Sequence, residues 1–225
     1  MNLNADIGEG AGEDEVILAC VNSASIACGV HAGSASITIA TARRCGVLGV
    51  EVGAHPGYDD RNGFGRLEQS ISPDDIEALV AFQVASLAAV VPIAYVKPHG
   101  ALYHRCQRDP AAADALARVA RAHGVGLMGQ PGFEIVAAAQ RAGIPAYREG
   151  FADRLVRPDG SLAPRGEPGA LLSPPLAAEQ AVGLARSGSV DTICVHGDTK
   201  GAGIVAAAVR RALRDAGIET QPLKR

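Results

Sequence analysis

Seven short apolar or β-branched runs punctuate this chain, and segments of helical period lie between them. The runs are NLNADI (2–7), ASIACGV (24–30), GVEVGAH (49–55), IAYVKPH (93–99), VGLMGQ (125–130), IPAYREGF (144–151) and DTICVHGD (191–198). Alternation of this kind is the signature of parallel βα units, which restricts the fold to an open doubly wound sheet or a closed barrel.

The intervening segments carry their own boundary signals. SASITIATARRCG (34–46) places Ile37, Ala40 and Ala42 among polar positions and is expected to stop at Gly46. SPDDIEALVAFQVASLAAV (72–90) begins with Ser72 as N-cap, Pro73 at the first helical position and acidic residues in the first turn. DPAAADALARVARAHG (109–124) repeats that logic with Asp109 and Pro110 and closes on a glycine. Two more helices are expected over 132–143 and 202–217.

Polar residues decide between sheet and barrel. Residues with chemical potential follow many different runs: Asp6 and Glu9, His31, His55, Lys97 and His99, Glu149 and Asp153, His196 and Asp198. An open sheet gathers its site at one switch point, whereas a barrel brings every strand C-terminus to one mouth. The sequence therefore reads as an α/β protein, a single irregular seven-stranded (β/α) barrel over residues 1–225. One long Pro- and Gly-rich stretch, 157–175, is the loop to expect as a lid or a partner contact.

Composition narrows the partners. Hydrophobic residues make up 48% and charged residues 20%, enough for a core, and the net charge of −3 is spread along the chain. No basic stripe for nucleic acid, no apolar run long enough to span a bilayer and no secretory signal are evident. The five cysteines have no pairing pattern, and Cys28 and Cys194 sit in apolar runs, where a reduced thiol acts as a small hydrophobe. A cytoplasmic, reduced protein is expected.

Several residues then ask for a role. Asp6 closes the first run, with Asn4 two positions earlier on the same face; it is either a base, a metal ligand or the orienter of a histidine, or it caps its own turn. His31 and His55 lie among small residues, in GVHAG and GAHPG, which leave room for a ligand. With Asp6 they form a plausible divalent-metal set, or they are simply hydrogen-bonded to carbonyls. Lys97 and His99 flank Pro98 and share one side of an extended chain. Lys97 needs an anionic partner, whether substrate carboxylate, phosphate or Asp6, and His99 can move protons near neutrality. HGDTKGAG (196–203) leads into the last helix as a glycine-containing anion site, without a P-loop pattern.

Together LNADIGEG, IACGVHAG, VGAHPGYDDRNGFGR, VKPHGALY, FADR with DGSLAPRGEPGA, and DTICVHGDTKGA resemble the LamB/YcsF family from the first residues to the last helix. The resemblance implies a glycoside hydrolase/deacetylase-like barrel that serves as the A subunit of an ATP-dependent 5-oxoprolinase. The implied reaction opens the lactam of 5-oxoproline to L-glutamate while ATP, with Mg2+, is cleaved. The B and C subunits of that enzyme are the implied partners; association with copies of itself stays open, as does a bound metal. Matching motif positions are Asn4, Asp6, Glu9, His31, His55, Arg66, Lys97, His99, Arg154, His196 and Asp198.

From these we expect Asp6, His31, His55 and His99 to be catalytic. Asn4, Glu9, Arg66, Lys97 and Arg154 are expected to hold substrate, and His196, Gly197, Asp198 and Thr199 to hold phosphate. The chain departs from the family pattern in a shortened loop after Glu9, in Ser25 and Ser34, which replace an amide and a carboxylate, and in a shorter stretch before DTICVHGD. A metal-dependent amide or carbohydrate deacetylase and a substrate-binding subunit without its own activity are the competing readings.

Overall fold

In the computed structural model, which describes residues 1–223, β1 (Asn2–Ile7) pairs with β2 (Ser23–Ala27) on one side and β7 (Thr192–His196) on the other. Those two pairings close the sheet. Between them run β3 (Glu51–His55), β4 (Tyr95–Val96), β5 (Gly126–Gly129) and β6 (Ala146–Phe151), in chain order and all parallel. The helices are α1 (Asp14–Leu18), α2 (Ala35–Leu48), α3 (Pro73–Ala88), α4 (Gly100–Arg108), α5 (Pro110–Ala122), α6 (Glu134–Ala142), α7 (Pro174–Ser187) and α8 (Ala202–Asp215). The seven-stranded barrel expected from the sequence is therefore the fold.

Local signals explain most boundaries. Ser72 accepts from the Asp75 amide while the Asp75 carboxylate takes the Ser72 amide, a reciprocal cap at the start of α3. Asp109 accepts from the amides of Ala111 and Ala112 at the start of α5. α2 does not stop at Gly46: it continues to Leu48 and ends on Gly49, whose φ of 70° supplies the left-handed cap. A single glycine costs a helix only about 1 kcal/mol, too little to end one whose cap lies three residues on. α1, α4 and α7 are additions to the helices expected from sequence. His99 caps α4 without a side-chain bond, so its start lacks the usual signature.

β1 shows how the layers divide. Leu3, Ala5 and Ile7 face the helices and join the main apolar core, whereas Asn2, Asn4 and Asp6 alternate into the barrel. The interior is unusually polar, and several of its side chains bond one another. Asn4 Nδ2 donates to Thr192 Oγ1 at 2.8 Å, Thr192 Oγ1 donates to Asn2 Oδ1 at 2.6 Å, and Ser23 Oγ donates to the same Asn2 oxygen at 2.9 Å. Tyr95, Met128, Tyr147 and Leu223 form a second, smaller apolar cluster. Among the described residues no helix is long and apolar enough to cross a membrane.

Gly53 on β3 makes room for the Tyr95 ring: a Cβ there would lie 2.1 Å from it. Alanine normally suits a strand better than glycine, so the packing conflict reverses the expected sign. Gly53→Ala should lower the stability read from urea denaturation by about 1–3 kcal/mol.

Candidate active site

Lys97 lies just past β4, where Pro98 cannot continue the ladder. Its neighbours still hold the chain beside β3, through Lys97 N–H to Ala54 O at 2.9 Å and His99 N–H to Pro56 O at 2.8 Å. The ammonium thereby points into the barrel and is 2% exposed. There Nζ meets Asp6 Oδ1 at 2.8 Å, Glu149 Oε2 at 2.9 Å and Cys194 Sγ at 3.1 Å. Burial works against the charge, yet Asp6, Cys194 and Glu149 hold Lys97 well above the ordinary lysine range. Of the partners considered from sequence, Asp6 is the one observed, and Lys97 also borders the cavity. Cys194, expected to be a plain hydrophobe, is one of its neighbours.

Asp6 is the hinge of the cluster. Burial raises its carboxyl, but His55, Lys97 and His196 more than reverse that and keep it ionised below the usual carboxylate range. Its second oxygen, Oδ2, lies 3.5 Å from His55 Nε2 and 3.9 Å from His196 Nε2. The register explains the meeting: Asp6 pairs with His196 across β1 and β7, and Ala27 with His55 across β2 and β3.

Three imidazoles pack beside it. His55 Nδ1 contacts the Lys97 carbonyl at 2.8 Å and His99 Nε2 the Phe64 carbonyl at 2.8 Å. His55 Nε2 and His99 Nδ1 then face each other at 3.1 Å. The His31 ring stacks on His99 with centroids 4.0 Å apart. Glu9 Oε1 lies 3.3 Å from His99 Nδ1, 3.6 Å from His31 Nε2 and 4.0 Å from His55 Nε2. Burial, with neighbouring positive groups, depresses His31 to about 3, and burial depresses His55 to about 4 despite Asp6. His99 is held well below its ordinary value mainly by burial, and Glu9 is pushed well above its own by burial and by Asp198 and Asp6.

The small residues around these rings serve the protein itself. A Cβ on Gly57 would sit 2.6 Å from His31 Nδ1, and one on Gly65 would sit 2.9 Å from His31 Cβ and 3.0 Å from His99 Cδ2. A Cβ on Gly33 would sit 2.2 Å from the Gly8 carbonyl oxygen. The room expected for a ligand is filled by the rings and by adjacent backbone.

On the β7 side, His196 Nδ1 contacts Asp153 Oδ1 at 3.0 Å, its amide donates to Asp153 Oδ2 at 3.1 Å, and its ring stacks on Phe151. Asp153 thus fixes the ring with Nε2 toward Asp6. A cavity of about 730 Å³ opens above, lined by Asp6, His55, His99, Lys97 and His196 and rimmed by Arg66, Arg154, Arg157 and Arg165. Arg154 donates from Nη2 to Ala163 O at 2.5 Å, while its buried Nε has no hydrogen-bond partner. The 157–175 stretch folds over this mouth: Leu155 N–H bonds Ala170 O, Ala163 N–H bonds Leu155 O, and Arg165 reaches across to Asp198 and Thr199. Its lid-like position on the site is the arrangement observed.

The expected phosphate loop is differently employed. Gly197 N–H donates to Asp6 O at 2.9 Å, Asp198 pairs with Arg66 and Arg165, and Thr199 Oγ1 accepts from Arg165 Nη1. At the start of α8 the anion is the chain's own Glu13, whose oxygens accept from Gly201 N–H at 2.7 Å and Gly203 N–H at 2.8 Å. Those two amide hydrogen bonds lower the Glu13 carboxyl. The helix N-terminus does attract an anion, as physics requires, but an internal one.

Other expected residues fall beside the mouth. Asn4 Nδ2 is engaged with Thr192 within the barrel while its buried Oδ1 has no hydrogen-bond partner, and the residue lies below the cavity rather than on its wall. Ser25 meets the Tyr95 hydroxyl at 3.2 Å, and Ser34 caps α2 by accepting from Ile37 N–H; neither lines the cavity. Arg157, Arg165 and His104 do line it without standing out in the sequence, although Arg165 lies inside the conspicuous DGSLAPRGEPGA stretch.

The model of the LamB/YcsF family matches residues 1–225. A Streptomyces griseus protein, named as the A subunit of 5-oxoprolinase, is 42% identical over 246 residues, covering 98% of each chain. The solved lactam utilization protein of Thermus thermophilus superposes with a TM-score of 0.90 at 38% identity, over 99% of both chains. A family 4 carbohydrate esterase from Streptomyces lividans shares the fold alone, with a TM-score of 0.59 at 9% identity over 98% of this chain and 90% of the esterase. On sequence over its whole length and on structure, this chain belongs to the LamB/YcsF family.

Proposed function

We propose that the barrel mouth is the lactam-binding centre of an ATP-dependent 5-oxoprolinase, in which this chain is the A subunit and works beside the B and C subunits. The observation that carries the reading is the pairing of two features in one cavity: a rim of guanidinium groups and, beneath it, an ionised Asp6 between oriented imidazoles. The relatives' names supply the substrate class. A five-membered lactam resists hydrolysis because its amide is stable and the ring tends to re-form, so cleavage of ATP supplies the driving force for opening.

Each side chain then has a task. Arg154, with an unused buried Nε facing no acceptor, holds the substrate carboxylate, and Arg66 joins it from the rim. His196, fixed through Nδ1 by Asp153, takes a proton from water at Nε2, and Asp6 Oδ2 stabilises the imidazolium that forms. Lys97 does not touch the substrate; it keeps Asp6 ionised and in place. The cavity lies within the range of about 300–1,000 Å³ usual for small-molecule sites, more than one five-membered ring fills. The remainder is available to a second group, such as a phosphorylated form of the lactam.

Glutamate formation from 5-oxoproline with ATP and Mg2+ tests this, using the chain alone and then mixed with the B and C subunits. Turnover is expected in the mixture, and Asp6→Ala should lower it by about 10²–10⁴-fold, the usual contribution of acid–base machinery. Unchanged turnover in Asp6→Ala would remove the mouth from the reaction.

Neutral histidines give a second test. With folded values of about 3 for His31 and about 4 for His55, the unfolded chain binds the extra protons below about pH 6.5 and the folded chain does not. Stability is therefore full above pH 6.5 and falls on acidification toward pH 4. In chelator-containing buffer the slope should approach about 1.4 kcal/mol per pH unit for each histidine, and His31→Gln should flatten it.

A further inference from the structure

We propose that Glu9, His31 and His99, with His55 beside them, hold one divalent transition-metal ion of the zinc class. The argument starts from protons. A carbonyl oxygen only accepts, so the Lys97 carbonyl places the His55 proton on Nδ1 and the Phe64 carbonyl places the His99 proton on Nε2. The remaining ring nitrogens, His55 Nε2 and His99 Nδ1, then carry lone pairs, and they face each other at 3.1 Å. A carboxylate oxygen, Glu9 Oε1, lies 3.3 Å from His99 Nδ1 and 4.0 Å from His55 Nε2. Three acceptors turned toward one point repel unless an additional proton or a metal ion lies among them, and a metal ion also engages the neighbouring His31 ring.

Unpartnered atoms mark the same point. Glu9 is 8% exposed and His31 0% exposed, yet Glu9 Oε1 and both His31 nitrogens have no hydrogen-bond partner. Buried polar atoms are rarely left so. One donor atom from each of Glu9, His31 and His99 lies within 4.8 Å of the others. Donors about 2.0–2.1 Å from a tetrahedral zinc sit about 3.3–3.5 Å apart, and Glu9 Oε1 lies 3.3 Å from His99 Nδ1 and 3.6 Å from His31 Nε2. Imidazole and carboxylate donors suit zinc, iron, nickel or manganese rather than calcium. The carbonyls on the far nitrogens of His55 and His99 are the outer shell that fixes ring tautomer and angle in metal sites.

A second donor group, Asp6 with Cys194 and His196, also comes within range. It carries no such inference, because the Lys97 ammonium already lies 2.8 Å from Asp6 Oδ1 and 3.1 Å from Cys194 Sγ. The two clusters are thus served by different cations, one built into the chain and one taken from solution. The proposed set also differs from the Asp6, His31 and His55 trio that the sequence suggests, because Asp6 turns its Oδ1 to Lys97. A bound ion would polarise a carbonyl or a water entering past His55 and His99.

The inference does not rest on the lactam reading, and its readout is binding rather than turnover, so either can fail alone. Chelator-treated protein is titrated with Zn2+ by calorimetry and with Co2+ by visible absorption. One ion per chain is expected, with affinity lowered in His31→Gln and Glu9→Gln by at least about 100-fold, the upper end of what outer-shell changes cost. Wild type that binds Zn2+ no more tightly than both folded variants would overturn the proposal. Should the variants not fold, histidine 15N spectra of wild type decide. Unprotonated His55 Nε2 and His99 Nδ1 that shift with Zn2+ support the site; a doubly protonated His55 or His99 at neutral pH, unmoved by Zn2+, contradicts it by showing that a proton serves as the cation.

Discussion

A lysine ammonium is buried in the middle of this barrel, and much of the architecture follows from keeping it charged there. An isolated charge in such surroundings is prohibitive, so Lys97 requires both Asp6 and Glu149, contributed by β1 and β6 on either side. Three separate strands are thereby tied to one atom. The polar lining below, running through Asn2, Asn4, Ser23 and Thr192, continues the same solution. The inside of the barrel is held by polar bonds and ion pairs and the outside by apolar packing against the helices. Removing one member of a buried ion pair costs about 3–5 kcal/mol, which ties the site's geometry to the stability of the fold.

That arrangement leaves the mouth short of protons and rich in acceptors. Lys97 takes up Asp6 Oδ1, but Asp6 Oδ2, Glu9 Oε1 and the inward nitrogens of His55 and His99 remain turned toward one another. Rings can crowd so closely because Gly57 and Gly65 lack side chains where His31 and His99 lie. Above them, Arg66, Arg154 and Arg165 reverse the sign of the field. On the proposed function, an anionic substrate would be drawn to the rim while its reacting centre meets bases and, on our inference, a metal ion. The 157–175 stretch, tied across the mouth by Arg165, forms part of its wall.

The layers are legible in the sequence because periods of two and 3.6 residues are local. Ser72 with Pro73 and Asp109 with Pro110 mark helix starts that the structure reproduces, and polar residues after successive strands imply closure. Asp6, His55, Lys97, His99 and His196 stand out as site residues and do share one cavity. Their employment is not legible, because it depends on contacts between distant parts of the chain. Lys97 reads equally well as a substrate cation or a scaffold cation until Glu149 is seen 2.9 Å away. The α8 amides read as an anion site until Glu13, 188 residues earlier than Gly201, is found on them. The small residues in GVHAG and GAHPG read as room for a ligand until the Gly57 position is seen against His31. α4 lacks a sequence signal because its cap, His99, is engaged with His55 and Phe64 instead of the helix.

The most direct test of this account is a double-mutant cycle at the buried ion cluster, with stability read from urea denaturation at pH 7. Lys97→Met leaves Asp6 and Glu149 buried without their cation and should cost about 3–5 kcal/mol. Adding Glu149→Gln removes one of the stranded charges, so the double variant should be more stable than Lys97→Met alone. Penalties that simply add, with the double variant the least stable of the set, would contradict the claim that Lys97 exists to neutralise these two carboxylates.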